Sequence, residues 1–373
     1  MVGGGQGAFI GGVHRIAARI DDRFELVAGA LSSTPEKARA SGAELGLDPA
    51  RCYGSFTEMA EAEAARPDGI EAVAIVTPNH MHADPAIAFL ERGIHVICDK
   101  PLTATMEDAE RLAEAARASD ALFILTHNYT GYPMVRQARE MVARGDLGTL
   151  RVVQVEYPQD WLTEAAEASG VKQAEWRTDP ARSGAGGSIG DIGTHAWNLA
   201  AFVTGQTPDR LAADLASFVP GRRVDDNAHI LLRYASGMKG MLWASQVAPG
   251  NENALRLRVY GEKGGLEWAQ EDPNRLWFTP FGEPKRLLTR GGAGATEAAA
   301  AVTRIPGGHP EGYLEAFATI YRGAADAIRA RQAGEDPAPI LAELPGIEDG
   351  LSGMRFIAAA VASSDADSAW VAV

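Results

Sequence analysis

The stretch MVGGGQGAFIGG, residues 1–12, places Gly3, Gly5 and Ala8 in the spacing G-x-G-x-x-G/A, and this spacing is the strongest indication of the fold of the amino-terminal part. Glycines at those positions allow a tight turn and let the backbone approach a pyrophosphate, while a following helix directs its N–H groups at the anion. Residues 9–20, FIGGVHRIAARI, have the periodicity of such a helix, and residues 25–33, ELVAGALSS, predict the second strand of a β-α-β unit. The opening therefore indicates a dinucleotide-binding turn, with a glycine-rich start that binds no nucleotide as the alternative.

The first strand of this unit is very short, since only Met1 and Val2 precede the first glycine. Either the natural chain starts further upstream, or the strand is a stub that leaves the edge of its neighbour exposed. Both alternatives bear on how firmly the turn holds a cofactor.

Between residues 24 and 126, short apolar runs alternate with Ala-rich helical segments. The runs FELVAGA, EAVAIV, HVIC and LFILT lack an in/out alternation, which is typical of strands buried on both faces of a parallel sheet. Helical crossovers connect such strands. The sequence therefore predicts a doubly wound α/β domain over residues 1–126.

The rhythm changes in residues 127–373, which we predict to form a second domain. RVVQVEY, NAHILLRYASG, MKGMLWASQVA and LRLRVYGEKGGLEWA alternate apolar with polar residues, as antiparallel strands with one covered face do. Helical segments near 191–204 and 312–332 are candidates for that cover. The stretch GGAGATEAAAA, residues 291–301, indicates a mobile excursion outside the core.

Composition excludes several classes of partner. Asp and Glu outnumber Lys and Arg by 49 to 35, and the net charge of -14 repels nucleic acid and anionic membranes. The sequence contains no run of apolar residues long enough to predict a membrane span. Cys52 and Cys98 offer neither a disulfide framework nor a metal-site spacing, which favours a reducing, cytoplasmic compartment.

The end of the second predicted strand bears on the choice of cofactor. A ribose-binding Asp or Glu at this place would favour NAD, but Ser32 and Ser33 occupy it and Lys37 follows. Hydroxyls and a cation are compatible with a ribose phosphate, and a serine also accommodates NAD. The sequence leaves NAD and NADP open.

Two further turns follow predicted parallel strands, and ligands of open α/β sheets bind at the carboxyl ends of strands. The first turn carries Thr77, Pro78 and Asn79, which are also common turn-forming residues at a helix start. The second carries Asp99, Lys100 and Pro101, where Lys100 is either a solvated surface charge or a positioned acid. His80 and His82 suggest zinc, but no third ligand follows at a suitable spacing, so we expect no metal.

A polar stripe lies on the predicted helix near residues 191–204. Asp191, His195 and Asn198 are spaced i, i+4 and i+7 and share one helical face among apolar residues. A core histidine bonded to a neighbour is the alternative to an active-site base. The glycines that precede Asp191 leave space beside the stripe and favour the active site.

Together, CDKP, TPNHMH, GGSIGDIGTH and the amino-terminal glycines resemble motifs of the Gfo/Idh/MocA family, the glucose-fructose oxidoreductase, inositol dehydrogenase and rhizopine catabolism proteins. The resemblance covers nearly the whole chain. It implies a Rossmann dinucleotide-binding domain followed by an α/β domain with a large, mostly antiparallel open sheet. It also implies a homo-oligomer, dimeric or tetrameric, assembled through that sheet.

The resemblance assigns residues as well. Lys100 matches the lysine of the family's E-K-P motif, in which Asp99 replaces the Glu, and Lys100-Pro101 is a candidate cis peptide. Asp191 and His195 match its D-x-x-x-H pair. The expected cofactor-binding residues are Gly3, Gly5, Ala8, Phe9, Ile10, Ser32, Ser33, Lys37, Thr77, Pro78, Asn79, His82, Asp99 and Lys100.

The implied activity is NAD(P)-dependent oxidation of a secondary hydroxyl of a sugar or an inositol-like cyclitol. His195 would be the base, assisted by Lys100 and Asp191. The expected substrate-binding residues are Tyr129, Trp176, Arg177, Asp191, His195 and His309. Two alternatives are a transient oxidation that drives glycoside elimination or hydrolysis before re-reduction, and a sensor of dinucleotide or sugar without turnover.

Overall fold

The computed structural model describes the backbone of residues 1–373 and every side chain except that of Lys172. It divides into two compact units. Unit 1 contains Met1–Asn128 and Phe317–Ser352, and unit 2 contains Tyr129–Ala316 and Gly353–Val373. The sequence division at 126/127 left residues 317–352 in the second domain, whereas the structure groups them with the first. Aromatic packing explains this placement, because Phe317 and Tyr321 lie against the first helix and its following loop.

A parallel sheet forms the centre of unit 1, and within the described residues its order is β1-β2-β3-β4. The strands are β1 Val2–Gly3, β2 Ala72–Val76, β3 His95–Cys98 and β4 Phe123–Leu125. Val73, Ile75, Val96 and Ile124 are fully buried, as strands with both faces covered require. The sheet confirms the expected Rossmann-type fold class.

Helices connect these strands. They are α1 Phe9–Ile20, α2 Pro35–Glu44, α3 Phe56–Ala64, α4 Ala83–Leu90 and α5 Met106–Ala118, with 3-10 turns at Pro49–Arg51 and Asn79–Met81. Hydroxyl caps fix two of the helix starts: Ser55 accepts from the Glu58 N–H at 3.1 Å, and Thr105 accepts from the Asp108 N–H at 3.2 Å. Such caps satisfy N–H groups that have no partner inside the helix.

The predicted strand FELVAGA is reduced to two isolated bridges, Val2 with Ala30 and Gly29 with Cys52. Because β1 has only two residues, it cannot pair with a longer strand beside it. The Gly3 N–H donates to the Ala30 carbonyl and the Ala30 N–H to the Met1 carbonyl, both at 2.9 Å. The segment therefore keeps its expected place beside β1 without forming a regular strand.

Unit 2 is built on a mixed sheet, whose order over the described residues is β12-β11-β10-β9-β5-β8-β7-β6-β13. Every neighbouring pair is antiparallel except β5 with β8, which confirms the mostly antiparallel sheet. The strands are β5 Leu150–Pro158, β6 Arg210–Ala216, β7 Asn227–Arg233, β8 Lys239–Ser245, β9 Arg256–Gly261, β10 Gly264–Ala269, β11 Arg275–Pro280, β12 Arg286–Thr289 and β13 Val371–Ala372.

Helices cover one face of this sheet. The helices wholly within unit 2 are α6 Pro133–Ala143, α7 Lys172–Arg177, α8 Pro180–Ser183, α9 Thr194–Thr204 and α10 Glu297–Ala301. The remaining helices are α11 Tyr313–Gln332, α12 Ala338–Leu341 and α13 Ile347–Asp365, with 3-10 turns at Asn128–Gly131 and Ala166–Ser169. On the other face, Leu231 and Met241 lie directly opposite each other and are 51% and 49% exposed. The sheet is therefore open on one side.

Most residues of the glycine-rich stretch 291–301 are exposed, as expected of an excursion outside the core, but the stretch contains a helix. Its last residues form α10, where the Thr296 hydroxyl accepts from the Ala299 N–H at 3.4 Å and Ala299 is buried. The Thr296 N–H also donates to Gln137 Oε1 on α6 at 2.7 Å. A side-chain partner distant in sequence thus holds a stretch that its composition marked as loose. Among the helices with described residues, none combines the length and apolar character that crossing a membrane requires.

Candidate active site

The amino-terminal glycine turn of unit 1 can accept a backbone-bound phosphate. Gly3 and Gly4 have positive φ angles of 78° and 73°, which side chains other than glycine rarely adopt. A Cβ at Gly5 would lie 2.5 Å from the Leu31 carbonyl oxygen, and one at Gly11 would lie 2.4 Å from the Gly4 Cα. Only glycine fits these close approaches, so the turn has the shape that a dinucleotide pyrophosphate needs.

The start of α1 supplies the donors for this turn. Its N-cap residue, Ala8, offers no side-chain cap, so the first-turn N–H groups point outward without a capping oxygen. Phe9 is 69% exposed, whereas Ile10 packs against the apolar cluster that contains Met1 and Leu31. Ile10 therefore serves the core of unit 1 as well as the predicted cofactor site.

The residues expected at the ribose lie at the surface of unit 1. Ser33 and Lys37 are exposed, and Ser32 is half-buried with its hydroxyl accepting from the Thr34 N–H at 3.2 Å. No carboxylate occupies positions 32 and 33. These side chains are therefore compatible with both NAD and NADP.

The turn after β2 contains three of the predicted cofactor residues. The Thr77 hydroxyl donates to the Met81 carbonyl at 2.8 Å, and Pro78 precedes the 3-10 turn that begins at Asn79. Gly3 lies close to this turn, since its Cβ would come within 2.9 Å of Thr77 Cγ2. The structure thus brings the glycine turn and Thr77 together at the carboxyl ends of β1 and β2.

His82 differs from its expected role, because its ring is fully buried. Its Nδ1 lies 2.9 Å from the Pro101 carbonyl oxygen and its Nε2 lies 2.8 Å from that of Thr77. Burial lowers the pKa of His82, although Asp99 and the carbonyl oxygens act in the opposite direction. The ring joins two neighbouring turns and contributes to a cofactor site only through the backbone that it holds. Among the described side chains, no His, Cys, Asp or Glu cluster of three suits a metal ion.

The turn after β3 carries Asp99 and Lys100, and the Lys100-Pro101 peptide is cis, as expected. Asp99 Oδ1 accepts from the Lys100 N–H and from the Thr126 hydroxyl, both at 3.0 Å. Asp99 Oδ1 is therefore engaged by two neighbouring segments of unit 1, and a cofactor contact by Asp99 stays a prediction. Burial, reinforced by the charge of Lys100, lowers the pKa of His127 to about 3. The ring of His127 is thus neutral beside the ammonium.

In unit 2, Asp191 lies in a π-helical turn, Ile189–Gly193, rather than in the α-helix expected to start there. The Thr194 N–H bonds to the Ile189 carbonyl, five residues back, so α9 starts at Thr194. The extra residue in this turn shifts Asp191 from the position that α-helical spacing assigned relative to His195. Such turns recur at functional sites.

Two side chains hold the Asp191 carboxylate. Arg177 Nε donates to Asp191 Oδ2 at 3.1 Å, and Gln246 Nε2 donates to the same oxygen at 2.9 Å. The Arg177 guanidinium also lies over the half-buried ring of Trp176, 4.2 Å from its centre. Arg177 therefore orients Asp191 and packs on Trp176, and a substrate contact by either residue stays a prediction.

The His195 imidazole is 7% exposed and packs among phenols. The ring of Tyr129 meets it edge-on with centres 4.7 Å apart, and the Tyr157 ring lies 6.2 Å away. The Tyr157 hydroxyl donates to Asn253 Oδ1 at 2.7 Å, so the Tyr129 hydroxyl donates to Tyr157 at 2.5 Å. Burial raises the pKa of both phenols. Tyr129 therefore donates its hydroxyl hydrogen to Tyr157 and packs its ring against His195, and a substrate contact by Tyr129 stays a prediction.

His309 is exposed, and its carbonyl oxygen accepts a hydrogen bond from the buried Arg290. Arg290 also pairs with the buried carboxylate of Glu311 at 2.8 Å. The backbone carbonyl of His309 thus contacts a structural ion pair, Arg290 with Glu311. A substrate contact by its ring stays a prediction.

Sequence reasoning missed the carboxylate that anchors the π turn. Asp225 accepts from the Gly187 N–H and the Ser188 hydroxyl at 2.6 Å each, and from the Ile189 N–H at 2.9 Å. Burial raises the pKa of Asp225 in spite of these bonds. Adjacent acidic residues before an apolar strand, VDDNAH, were the available signal.

The hydrogen-bonded phenols Tyr129 and Tyr157 form a phenol chain in unit 2. A polar cavity of about 680 Å³ opens beside this chain. Tyr132, Asn253, Gln270 and Tyr313 are among its lining residues. Tyr132 stacks on Tyr129, and Asn253 accepts the bond from Tyr157, so the cavity adjoins the phenols beside His195. Its size lies within the usual range for small-molecule sites.

Comparisons with known proteins agree with this geometry. Residues 1–127 match a model described as an oxidoreductase family with an NAD-binding Rossmann fold, and residues 135–267 match the GFO/IDH/MocA C-terminal domain. The chain is 63% identical to a crystal structure of an oxidoreductase from Sinorhizobium meliloti, covering 100% of this chain and 98% of the other with a TM-score of 0.89.

Two further relatives extend over the full length. An inositol dehydrogenase homologue from Azotobacter vinelandii, crystallised with NADH and myo-inositol, is 38% identical with a TM-score of 0.92, covering 100% of this chain and 96% of the other. The oxidoreductase YfiI of Bacillus subtilis, described as uncharacterised, is 36% identical over 375 residues, covering 100% of this chain and 95% of its own.

Proposed function

Because the chain belongs to the GFO/IDH/MocA family of oxidoreductases, we propose that it oxidises one secondary hydroxyl of a cyclitol or sugar to a ketone, with NAD or NADP as hydride acceptor. The observation that carries the proposal is the set of three proton-handling side chains, Lys100, Asp191 and His195, on a chain with an NAD-binding unit. The similar Azotobacter structure holds NADH and myo-inositol, which supports this substrate class.

The glycine turn, the start of α1 and the Thr77–Asn79 turn would hold the dinucleotide. The close approaches at Gly5 and Gly11 fit a pyrophosphate on the backbone, as described above. The chemistry that a bound nicotinamide supplies is acceptance of hydride from the carbinol carbon. All proton transfers fall to the side chains of the chain itself.

His195 is the proposed general base. An imidazole titrates near neutral pH and can take the hydroxyl proton as the carbon–hydrogen bond breaks. The edge of Tyr129 and the nearby ring of Tyr157 restrict the rotation of the imidazole. The phenol chain therefore fixes the direction from which His195 approaches the hydroxyl.

Lys100 and Asp191 have complementary tasks in this proposal. The Lys100 ammonium donates a hydrogen bond to the reacting oxygen and stabilises the negative charge that develops on it. Asp191 accepts a bond from a neighbouring substrate hydroxyl, while Arg177 and Gln246 keep the carboxylate in place. A polyol offers such a neighbouring hydroxyl to Asp191, which favours a cyclitol or a pyranose over a simple alcohol.

A panel assay tests the proposal. Purified protein is incubated with NAD or NADP and with myo-inositol, other inositols, and free or glycosidically linked pyranoses, and both nicotinamide reduction and product mass are recorded. We expect reduction of the nicotinamide with at least one polyol and its loss in His195→Asn. Product formation without net reduction would instead indicate transient oxidation, and NADH binding without any product would indicate a sensor.

The open sheet face supports a further proposal, that the protein is a homo-oligomer. Leu231 and Met241 form an exposed apolar pair on β7 and β8, and Trp277 and Leu287 form a second pair on β11 and β12. Exposed apolar side chains on an uncovered sheet face are typical of an interface. A second copy of the chain would present the same face.

A further inference from the structure

A buried histidine in unit 1 takes no part in the proposed reaction. His14 lies on α1 with no exposed surface, and its Nδ1 is 2.7 Å from the hydroxyl of Tyr321 on α11. Its Nε2 lies 3.8 Å from Asp99 Oδ1. The ring is held between the aromatic side chains of Phe317 and Tyr321, with centres 5.1 and 5.7 Å away. Three segments distant in sequence thus meet at one imidazole.

The placement of hydrogens in this cluster follows from the chemistry of its members. Burial, together with the Asp99 charge, raises the pKa of Tyr321, so its hydroxyl retains the proton. When that hydroxyl donates to Nδ1, a neutral ring carries its hydrogen on Nε2, which faces the carboxylate. The opposite tautomer would aim a lone pair at an anion. Tyr321 therefore selects the form of His14 that attracts Asp99.

Asp99 connects His14 to the turn that carries Lys100. Burial by itself would raise the pKa of Asp99, but His14, Lys100 and His82 together hold it well below its usual range. Because 3.8 Å exceeds a hydrogen-bond length, we assign the effect of His14 to the dipole of the Nε2–H group that faces the carboxylate. The ionised carboxylate accepts from the Lys100 N–H and from Thr126.

We propose that His14 and Tyr321 are positioning residues, which hold the Asp99 carboxylate so that the turn presents the Lys100 ammonium for reaction. The inference rests on the proposed role of Lys100. A role confined to filling the core does not explain the cluster, because such a histidine would need neither a phenol that fixes its tautomer nor a carboxylate one residue before the lysine. The chain of contacts runs from α11 through α1 to the turn after β3.

The primary test is Tyr321→Phe, which removes one hydroxyl and keeps the ring. Tyr53→Phe is the matched control, since Tyr53 is also buried in unit 1 and donates to Glu63 at 2.7 Å, away from Lys100. Loss of one such hydrogen bond lowers the population of the arrangement that it stabilises by about tenfold. We expect kcat to fall by about tenfold in Tyr321→Phe alone, with the NADH Kd close to wild type and similar decreases in Tm for both variants. Equal kcat values for the two variants would overturn the proposal.

Two further variants separate positioning from general damage. His14→Gln keeps an N–H donor near Asp99, whereas His14→Met keeps the volume and removes the donor. We expect His14→Gln to retain most of the kcat that His14→Met loses. In an Asp99→Asn background Tyr321→Phe should have no further effect on kcat, because residues that act through one group are not additive. Additive effects, or equal losses in both His14 variants, would contradict the inference.

A measurement independent of turnover distinguishes failure of this inference from failure of the proposed function. An amine-directed reagent is applied for short times, and peptide mass spectrometry gives the labelling rate of Lys100 relative to the exposed Lys239. We expect this ratio to change several-fold in Tyr321→Phe and to match wild type in Tyr53→Phe. If no polyol is oxidised but the ratio changes, the positioning stands and the proposed reaction fails. An unchanged ratio overturns the positioning.

Discussion

Gly11→Ala should disturb the cofactor turn although position 11 lies inside a helix. A Cβ at Gly11 would lie 2.4 Å from the Gly4 Cα, 2.6 Å from the Gly4 carbonyl oxygen and 2.9 Å from its carbonyl carbon. Carbon atoms in contact are about 3.5–4.0 Å apart, so the backbone has to move by about 1 Å. All three atoms belong to backbone, which cannot turn aside as a side chain does.

The cost of such overpacking is about 1–3 kcal/mol. Since Gly4 stands between Gly3 and Gly5, whose N–H groups donate to the Ala30 and Leu31 carbonyls, a shift there distorts the whole turn. If the cost falls entirely on binding, the NADH Kd rises by about 5-fold to 150-fold. If the turn resists the shift, the same energy appears as a lower free energy of unfolding.

Gly12→Ala is the matched control, because the nearest atom to its Cβ outside the helix backbone would be Arg15 Nη2 at 3.9 Å. Alanine there should stabilise α1 by up to about 1 kcal/mol. Fluorescence titration measures the NADH Kd of both variants. Thermal unfolding with and without NADH measures their stability. The reasoning is refuted if Gly11→Ala binds NADH as tightly as Gly12→Ala and unfolds at the same temperature.

Three other outcomes are expected. Asp225→Asn should lower the free energy of unfolding by about 2–3 kcal/mol and reduce kcat, because the amide cannot accept all three bonds of the π turn, whereas exposed Asp214→Asn should change neither. Burial would raise the pKa of Glu63, but its bonds to Arg51, Tyr53 and Ile70 hold it below the usual value. The stabilisation by this carboxylate is thus complete above about pH 5 and declines as pH falls further, so chemical unfolding of wild type and Glu63→Gln should converge in acid. Light scattering should show an oligomer for wild type and smaller species for Leu231→Lys/Met241→Lys; a wild-type monomer would contradict the interface.

The sequence predicted those parts of the fold that depend on local pattern. The buried runs Ala72–Val76 and His95–Cys98 are parallel strands, and the alternating runs predicted for unit 2 contain β5, β7, β8, β9 and β10. The strands β6, β11, β12 and β13 were not predicted. In both cases the periodicity reports which faces are covered, so residue type alone suffices. The short strand beside β1 was overestimated, because its length depends on a partner of two residues.

The candidate site was less accessible to prediction because its contacts join residues distant in sequence. Asp225 anchors Gly187, 38 residues earlier, and His14 meets Tyr321 across 307 residues. The spacing of Asp191 and His195 was noticed, but the π turn that contains Asp191 is anchored by the remote Asp225. Arg177 was selected for its chemistry, and only the structure shows that its guanidinium is bonded to Asp191.

Turnover by Lys100→Met measures whether the Lys100 ammonium acts on the substrate hydroxyl. The variant is compared with wild type and with Lys239→Met, an exposed lysine on β8, using a polyol that the wild type oxidises. We predict a fall in kcat of about a hundredfold to ten-thousandfold for Lys100→Met, with NADH binding retained and Lys239→Met unaffected. Turnover by Lys100→Met close to that of wild type would contradict this role of Lys100.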